Sequence, residues 1–151
     1  MALDPAFVGR EYPRCAVYEV SREKIREFAR AIGDDDPVRT DPEAAKAAGY
    51  RDLVAPPTFT TIINLTAINA IVTDPALGLD YGRMVHGDQS FTYHRPVVAG
   101  DELVADSTIE AISHRAGNDF ITLRADIHDA DGNPVVVARA QLVVRDAEEE
   151  A

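Results

Sequence analysis

The sequence predicts an α+β domain in which one long antiparallel sheet wraps around a single buried helix. Residues 58–72 place apolar side chains around most of a helical circumference, which is typical of a helix buried on nearly every side. After Asp74-Pro75, the chain consists of runs of about ten residues with period-2 patterning, which is typical of strands. The predicted strands are residues 85–95, 102–113, 120–129 and 134–144.

The turns between these strands are short. They read Ala-Gly-Asp at 99–101, Ala-Gly-Asn at 116–118 and Asp-Gly-Asn at 131–133. Because short connections join strands that lie side by side, this pattern favours an antiparallel meander.

Two shorter helices are predicted before the buried one. A strand at 16–20 leads to the N-cap Ser21, and the helix that follows ends at Gly33. The second helix begins at Pro42 after the cap Asp41 and stops at Gly49. The first helix carries one apolar stripe, formed by Ile25, Phe28, Ala29 and Ile32.

Charge and composition exclude several classes of function. The chain has 151 residues and a net charge of −11, from 15 basic and 26 acidic side chains. Nucleic-acid binding requires a basic surface, and an anionic membrane would repel this chain, so we expect neither partner. No apolar run approaches the roughly 20 residues of a membrane span, and the N-terminus shows no signal-peptide pattern.

We therefore expect a soluble protein with one domain over residues 1–145 and an acidic disordered tail over 146–151. The single cysteine, Cys15, fits a reducing cytoplasm. The histidines do not have metal-ligand spacing and no cysteine pair accompanies them, so we expect no metal and no cofactor. These histidines are His86, His94, His114 and His128.

Three segments carry the chemical information in this sequence. They read Ile-Gly-Asp-Asp-Asp-Pro-Val-Arg at 32–39, Leu-Val-Ala-Pro-Pro-Thr at 53–58 and Phe-Thr-Tyr-His-Arg-Pro-Val-Val-Ala-Gly-Asp at 91–101. Taken alone, residues 34–36 are typical of a capped turn with solvated carboxylates. In order and spacing, however, the three segments resemble the MaoC-like dehydratase family, which includes the (R)-specific enoyl thioester hydratases. The resemblance covers nearly the whole domain and implies a single hot-dog domain.

The resemblance also implies a reaction. The family motif reads Gly-Asp-x-Asn-Pro-(aliphatic)-His, and its Asp and His handle the two protons of a reversible syn addition of water to a trans-2-enoyl thioester. A second motif, Ala-His-Gly, opens the central helix, and a backbone N–H there stabilises the enolate oxygen. By position, the family aspartate is Asp34, and the family asparagine is replaced by Asp36.

Two departures from the family pattern remove catalytic groups. Arg39 stands at the histidine position, and arginine stays protonated in proteins, so it cannot accept a proton. Pro57 stands at the glycine of Ala-His-Gly, and proline has no N–H to offer an enolate oxygen. Together these departures predict that the chain does not carry out the reaction alone.

The pattern resembles the non-catalytic subunit of heterodimeric (3R)-hydroxyacyl-ACP dehydratases. The matching segments are Val-Gly-x-x-Tyr at 8–12, Ala-Pro-x-Thr-Phe at 55–59 and Val-Ala-Gly-Asp at 98–101. This resemblance implies a subunit that binds an acyl-ACP or acyl-CoA thioester and pairs with a catalytic MaoC-like chain. Residues at the start of the central helix are candidates for binding the substrate, although apolar residues on a buried helix usually serve core packing. Candidate substrate-binding residues are Pro57, Thr58, Phe59, Ile62 and Ile63.

Two alternatives use the same domain as an enzyme. In the first, a homodimeric hydratase combines Asp34 with His86, which would reach in from a neighbouring strand or subunit. In the second, a hot-dog thioesterase activates water with Asp34 or Asp88. All three hypotheses predict a dimer, with an identical or a different partner, because a single sheet leaves an edge strand uncovered. Contacts to an acidic carrier protein would use Arg39, Arg83 and Arg95.

Overall fold

The computed structural model describes residues 3–145, and it confirms the predicted α+β architecture. The predicted tail at 146–151 lies outside the described residues. The helices are α1 (Arg22–Ile32), α2 (Pro42–Ala47) and α3 (Thr61–Val72). The strands are β1 (Tyr18–Glu19), β2 (Met84–Tyr93), β3 (Glu102–Arg115), β4 (Asn118–Asp129) and β5 (Pro134–Arg145).

The ends of α1 and α2 lie where their capping residues predict. The Ser21 side chain accepts a hydrogen bond from the Lys24 amide at the start of α1. Gly33 closes α1 in the left-handed conformation, with φ 71°. The Asp41 side chain caps α2 by accepting from the Glu43 amide. Local side-chain chemistry is therefore sufficient to set these boundaries.

Helix α3 begins at Thr61 rather than at residue 58. The Phe59 amide donates to the Pro56 carbonyl and the Thr61 amide donates to the Thr58 carbonyl, so residues 56–60 form a separate tight turn. The predicted burial on nearly every side is also wrong for the single chain, because Leu65 is 48% exposed. The side of α3 that faces the protein interior carries Ile63, Asn64, Ala67, Ile68 and Ile71.

The strand order across the sheet is β1-β3-β4-β5-β2. Strands β3, β4 and β5 form the predicted meander, but β2 pairs with β5 and not with β3, so the sequential order predicted for β2 is wrong. Residues 94–101 carry the chain from one edge of the sheet to the other instead of forming a hairpin. On the way they pair with an extended segment, as the Ala55 amide donates to Val97 and the Ala99 amide to Leu53.

The two edges of the sheet differ. On the β1 side, β3 also pairs with residues 9–15, which are here called the N-terminal strap. The Gly9 amide donates a hydrogen bond to the Ile109 carbonyl, and the Tyr12 amide donates to the Ser107 carbonyl. On the other side, β2 forms the outer edge, and within residues 3–145 it pairs with β5 alone. Within residues 3–145, the outer side of β3 is thus covered by the strap and β1, here called the covered edge, and the outer side of β2 has no partner strand.

Candidate functional site

The candidate site starts at the turn that follows α1. Asp34 accepts a hydrogen bond from the Asp36 amide through Oδ1 at 3.2 Å. Asp36 in turn caps the short 3₁₀ turn Pro37–Arg39 by accepting from the Val38 amide at 3.1 Å. These Asx-type bonds fix the aspartate and the arginine on adjacent turns of the chain.

Arg39 is held in place by Asp34 and by two backbone carbonyls. Its Nε donates to Asp34 Oδ2 at 3.0 Å, and its Nη1 donates to the carbonyls of Val54 and Ala55 at 3.2 and 3.3 Å. The side chains of Arg39 and Asp34 are only 14% and 22% exposed. The guanidinium therefore bridges the Asp34 turn to the segment that enters the central helix.

The ion pair sets the protonation state of Asp34. Partial burial raises the pKa of this carboxyl, but hydrogen bonds from the Asp36 amide and from Arg39 outweigh it, and the net pKa is lowered. Asp34 is therefore ionised at neutral pH, and it faces a permanently charged guanidinium. The pair provides a carboxylate and a fixed cation that are bound to each other.

Arg39 forms one wall of a cavity of about 380 Å³, here called the Arg39 cavity. Val54 and Ala55 supply part of the lining from the segment before α3, and Tyr93 supplies part from the end of β2. Further lining residues are Tyr50, Pro57, His94, Arg95, Pro96 and Val97. The walls are mostly apolar or aromatic, and their charged groups are Arg39 and Arg95.

Tyr93 and Thr60 form a buried hydrogen-bonded pair beside this cavity, which sequence reasoning missed. The Tyr93 hydroxyl donates to the Pro57 carbonyl at 2.5 Å and lies 3.1 Å from the Thr60 hydroxyl, whose residue is fully buried. Burial raises the pKa of Tyr93, and the Thr60 contact offsets part of that rise. The sequence did carry a signal for Tyr93. Alternate residues of a strand face the same side, so Tyr93 faces inward together with Phe91, and both pack against the core.

The predicted site residues separate into two groups. Asp34, Arg39 and Pro57 meet at or beside the Arg39 cavity, with Pro57 and Thr58 exposed. Phe59 is fully buried and makes edge-to-face contacts with the rings of Tyr18 and Phe28, at centroid distances of 6.2 and 5.5 Å. Ile63 is buried in the same core cluster, and Ile62 is half-buried against it.

His86 lies at a different place. It lines a second cavity of about 340 Å³ between α3 and β2, which shares no lining residue with the Arg39 cavity. This surface, here called the α3–β2 face, is formed by Leu65, Tyr81, Met84 and His86. Leu65 and Tyr81 are 48% and 75% exposed, which is unusual for large apolar side chains lying together. Asp88 is exposed further along β2.

The three arginines suggested as a carrier-protein contact are each paired with an aspartate. Arg39 binds Asp34, Arg83 binds Asp80 at 3.2 Å, and Arg95 binds the buried Asp101 at 2.8 Å. Asp101 also accepts from the Val98 amide and forms an ion pair with Arg51. These arginines therefore leave no uncompensated basic patch.

Within residues 3–145, no group of three or more His, Cys, Asp or Glu side chains is arranged to hold a metal ion. The absence of a metal or cofactor from the function stays a prediction. Of the helices in this part of the chain, none has the length and apolar character needed to cross a bilayer.

A five-stranded sheet wrapped around α3, with the Asp34 turn beside the start of that helix, defines the hot-dog dehydratase class. Residues 6–138 match the family model described as FAS1-like, dehydratase domain region. The chain therefore belongs to this family, and the resemblance predicted from the sequence is confirmed at that level.

The chain is similar to a curated protein and to two solved structures. It is 60% identical over 149 residues to a UPF0336 protein of Streptomyces avermitilis, covering 99% of both chains. A chain of the HadBC (3R-hydroxyacyl-ACP dehydratase) complex of Mycobacterium tuberculosis is 37% identical with a TM-score of 0.80, over 91% of this chain and 96% of that one. A MaoC-like dehydratase structure is 36% identical with a TM-score of 0.85, over 95% of this chain but only 44% of that one.

Proposed function

We propose that this chain is an acyl-thioester-binding, non-catalytic subunit of a (3R)-hydroxyacyl-thioester dehydratase or hydratase. It pairs with a MaoC-like chain that carries the intact aspartate and histidine. The observation that carries the proposal is the Arg39 guanidinium, which occupies the base position and is bound to Asp34 and to two backbone carbonyls.

The chemistry requires two groups that this site lacks. A syn addition of water must move one proton to carbon and one from oxygen, which takes a group that can gain and lose a proton near neutral pH. Arg39 cannot do so, and Asp34 is kept ionised by its pairing. At the helix start, Pro57 offers a carbonyl, already bound by Tyr93, where the family offers an amide.

The α3–β2 face supports the pairing. It combines the exposed side chains of Leu65 on α3 and Tyr81 before β2 with an edge strand whose outer side pairs with no other strand within residues 3–145. Similarity to a chain that comes from the HadBC complex agrees with a partner of related fold. We propose that the catalytic chain covers this face and continues the sheet at β2.

A second candidate is a self-sufficient homodimeric hydratase, and the position of His86 favours it. His86 is exposed on the α3–β2 face, where a second copy would bring it to an interface rather than to its own Asp34. Thioester hydrolysis is the weaker alternative, because the Asp34 carboxylate that would activate water is bound to Arg39.

Turnover of enoyl thioesters by the purified chain separates these candidates. We expect no hydration of crotonyl-CoA or of a longer enoyl-CoA above the rate of an Asp34→Ala control. Adding a MaoC-like chain with intact Asp and His should produce turnover in a stable complex. Robust turnover by the chain alone that is lost in Asp34→Ala would overturn the subunit proposal and support the homodimeric enzyme.

The variant Arg39→His tests whether one missing group explains the lack of activity. We expect it to remain inactive, because Pro57 still supplies no amide to the enolate oxygen. The matched variant carries Arg39→His together with Pro57→Gly and restores both positions. A clear gain of hydratase activity from Arg39→His alone would contradict the argument that two groups are missing.

A further inference from the structure

We infer that Arg39 binds the carbonyl oxygen of an acyl thioester in the Arg39 cavity, so that the site retains a ligand without converting it. The inference rests on the proposed function and deepens it, because it assigns a binding role to the arginine that replaces the family histidine.

The first step concerns the hydrogen-bond donors of the guanidinium. Nε donates to Asp34, and Nη1 donates to the carbonyls of Val54 and Ala55. Nη2 makes no hydrogen bond to any residue between 3 and 145. The Arg39 side chain is 14% exposed and lines the cavity, so this nitrogen is the part of the group left for a ligand. A guanidinium nitrogen left without an acceptor is a strong donor for an oxygen ligand.

The second step concerns charge, which favours a neutral carbonyl over a carboxylate or phosphate. Asp34 already compensates the charge of Arg39, so an anionic ligand at Nη2 would approach a second negative group. The other arginine of the cavity, Arg95, is compensated by Asp101 and Asp129. A thioester carbonyl is neutral, so it needs a hydrogen-bond donor but no net positive charge. The charge-compensated Arg39 meets this requirement.

The third step concerns the rest of the lining. Tyr50, Pro57, Pro96 and Val97 present aromatic and apolar surface around the arginine. A mostly apolar cavity with a few polar groups is the usual arrangement for orienting a largely apolar ligand, and here Arg39 is a polar group with a nitrogen left for that ligand. An acyl chain and the neutral stem of its thioester carrier have this chemistry.

The fourth step concerns rigidity. The three nitrogen–oxygen contacts fix the guanidinium before a ligand arrives, so no side-chain entropy is lost in forming the bond to the carbonyl. Arg39 thus offers, from a side chain, a donor of the kind that Pro57 cannot offer from the backbone. Because the carboxylate beside it, Asp34, is itself bound to the guanidinium, polarisation of the carbonyl leads to binding and not to hydration.

Binding of two ligands to the full chain tests the inference without any substitution. Crotonyl-CoA carries the thioester carbonyl, and its crotyl thioether analogue replaces that carbonyl with CH₂. We expect the thioether to bind about tenfold or more weakly, which corresponds to loss of a hydrogen bond to a charged group. Equal dissociation constants for the two ligands, measured by calorimetry, would overturn the inference.

The variant Arg39→Gln tests which residue makes the bond. We expect this variant to bind crotonyl-CoA more weakly by the same factor. It should also bind crotonyl-CoA and the thioether analogue with equal affinity. Arg124→Gln is the matched control, because Arg124 forms ion pairs with Asp126 and Glu110 on the sheet and does not line the Arg39 cavity. If Arg39→Gln unfolds, Arg39→Met, which has no hydrogen-bond donor, takes its place with the same two ligands. Retained preference with full affinity in whichever of the two variants folds would contradict the assignment.

A spectroscopic measurement separates direct contact from a structural effect. The C=O stretch of bound crotonyl-CoA should move to lower frequency in the Raman difference spectrum, and the shift should vanish in Arg39→Gln. An unshifted band in the unmodified chain would overturn the inference while leaving the subunit proposal intact. Turnover by the chain alone would instead contradict the subunit proposal.

Discussion

The two edges of the sheet are treated differently by the same chain. At the β1 edge, the N-terminal strap hydrogen-bonds along β3 and is fixed by side chains, with Tyr12 donating to Asp74 and Arg14 paired with Asp106. At the β2 edge, the described residues add no further strand, and the apolar Leu65 of α3 beside it is exposed. The comparison suggests that one edge serves the stability of the chain and the other serves its association.

The largest effect is expected at the open edge. Leu65→Asp places a charge on the α3–β2 face, where Leu65 is 48% exposed. Burying that charge against a partner should weaken association at least about 100-fold, while the isolated chain keeps its thermal stability. Sedimentation velocity of the complex checks the first point and calorimetric unfolding the second.

Val17→Asp is the matched control, because Val17 is 59% exposed but lies near the covered edge. It should leave association unchanged. Equal losses in the two variants, or none in Leu65→Asp, would remove the distinction between the edges.

A smaller effect is expected where the strap meets the loop after α3. Tyr12→Phe removes the 2.9 Å hydrogen bond to Asp74 and should lower the free energy of unfolding by about 1.5 kcal/mol. Burial and the Asp74 hydrogen bond raise the pKa of Tyr12 from 10.0 to about 12. This stabilisation is therefore fully present below pH 10 and is lost as pH rises through about 12.

Urea unfolding of the isolated chain measures this difference. Tyr81→Phe is the control, since Tyr81 is 75% exposed, and it should be neutral. A change in partner affinity from Tyr12→Phe would show that the covered edge also contributes to association.

The smallest effect is expected at Asp106, which binds Arg14 of the strap and His128 of β4. The Arg14 hydrogen bond, opposed by burial and helped by His128, lowers the pKa of Asp106 from 3.8 to about 2. The carboxylate therefore stabilises the fold above pH 3.8, and this contribution is lost as pH falls towards about 2.

Asp106→Asn should cost about 1 kcal/mol or less at neutral pH, because the side chain is 38% exposed and solvent screens the pair. Urea unfolding at neutral pH and near pH 2 should show the difference shrinking at low pH. The exposed Asp35→Asn serves as a control. A difference that grows on acidification would show that the Asp106 carboxylate is not what holds the strap.

The sequence was sufficient where one residue decides a local structure. Ser21 and Gly33 bound α1, and Asp41 begins α2, because each cap satisfies backbone groups within a few residues of itself. Pairing of β2 could not be predicted in this way, because period-2 patterning identifies a strand but not its neighbour. The crossing of residues 94–101 depends on contacts with residues 53–55, which are distant in sequence.

The same distinction between local and long-range features applies to the candidate site. Asp34 and Arg39 were found because they occupy positions of a contiguous motif, and the structure places them in contact. The binding of Arg39 to the Val54 and Ala55 carbonyls, and the bond from Tyr93 to Pro57, join segments far apart in the chain. Phe59 was a candidate for the acyl pocket, but its ring packs against Tyr18 and Phe28, which no pattern around residue 59 indicates.

The N-terminal strap also bears on how the proposed assembly would grow. A sheet with two bare edges could add chains at both ends without limit, as a filament does. Here residues 9–15 already pair with the outer side of β3, so the long strand left for addition of the proposed partner is β2. In the proposed pair, the two β2 edges would meet at the centre, and only the short strap and β1 segments would lie on the outer sides.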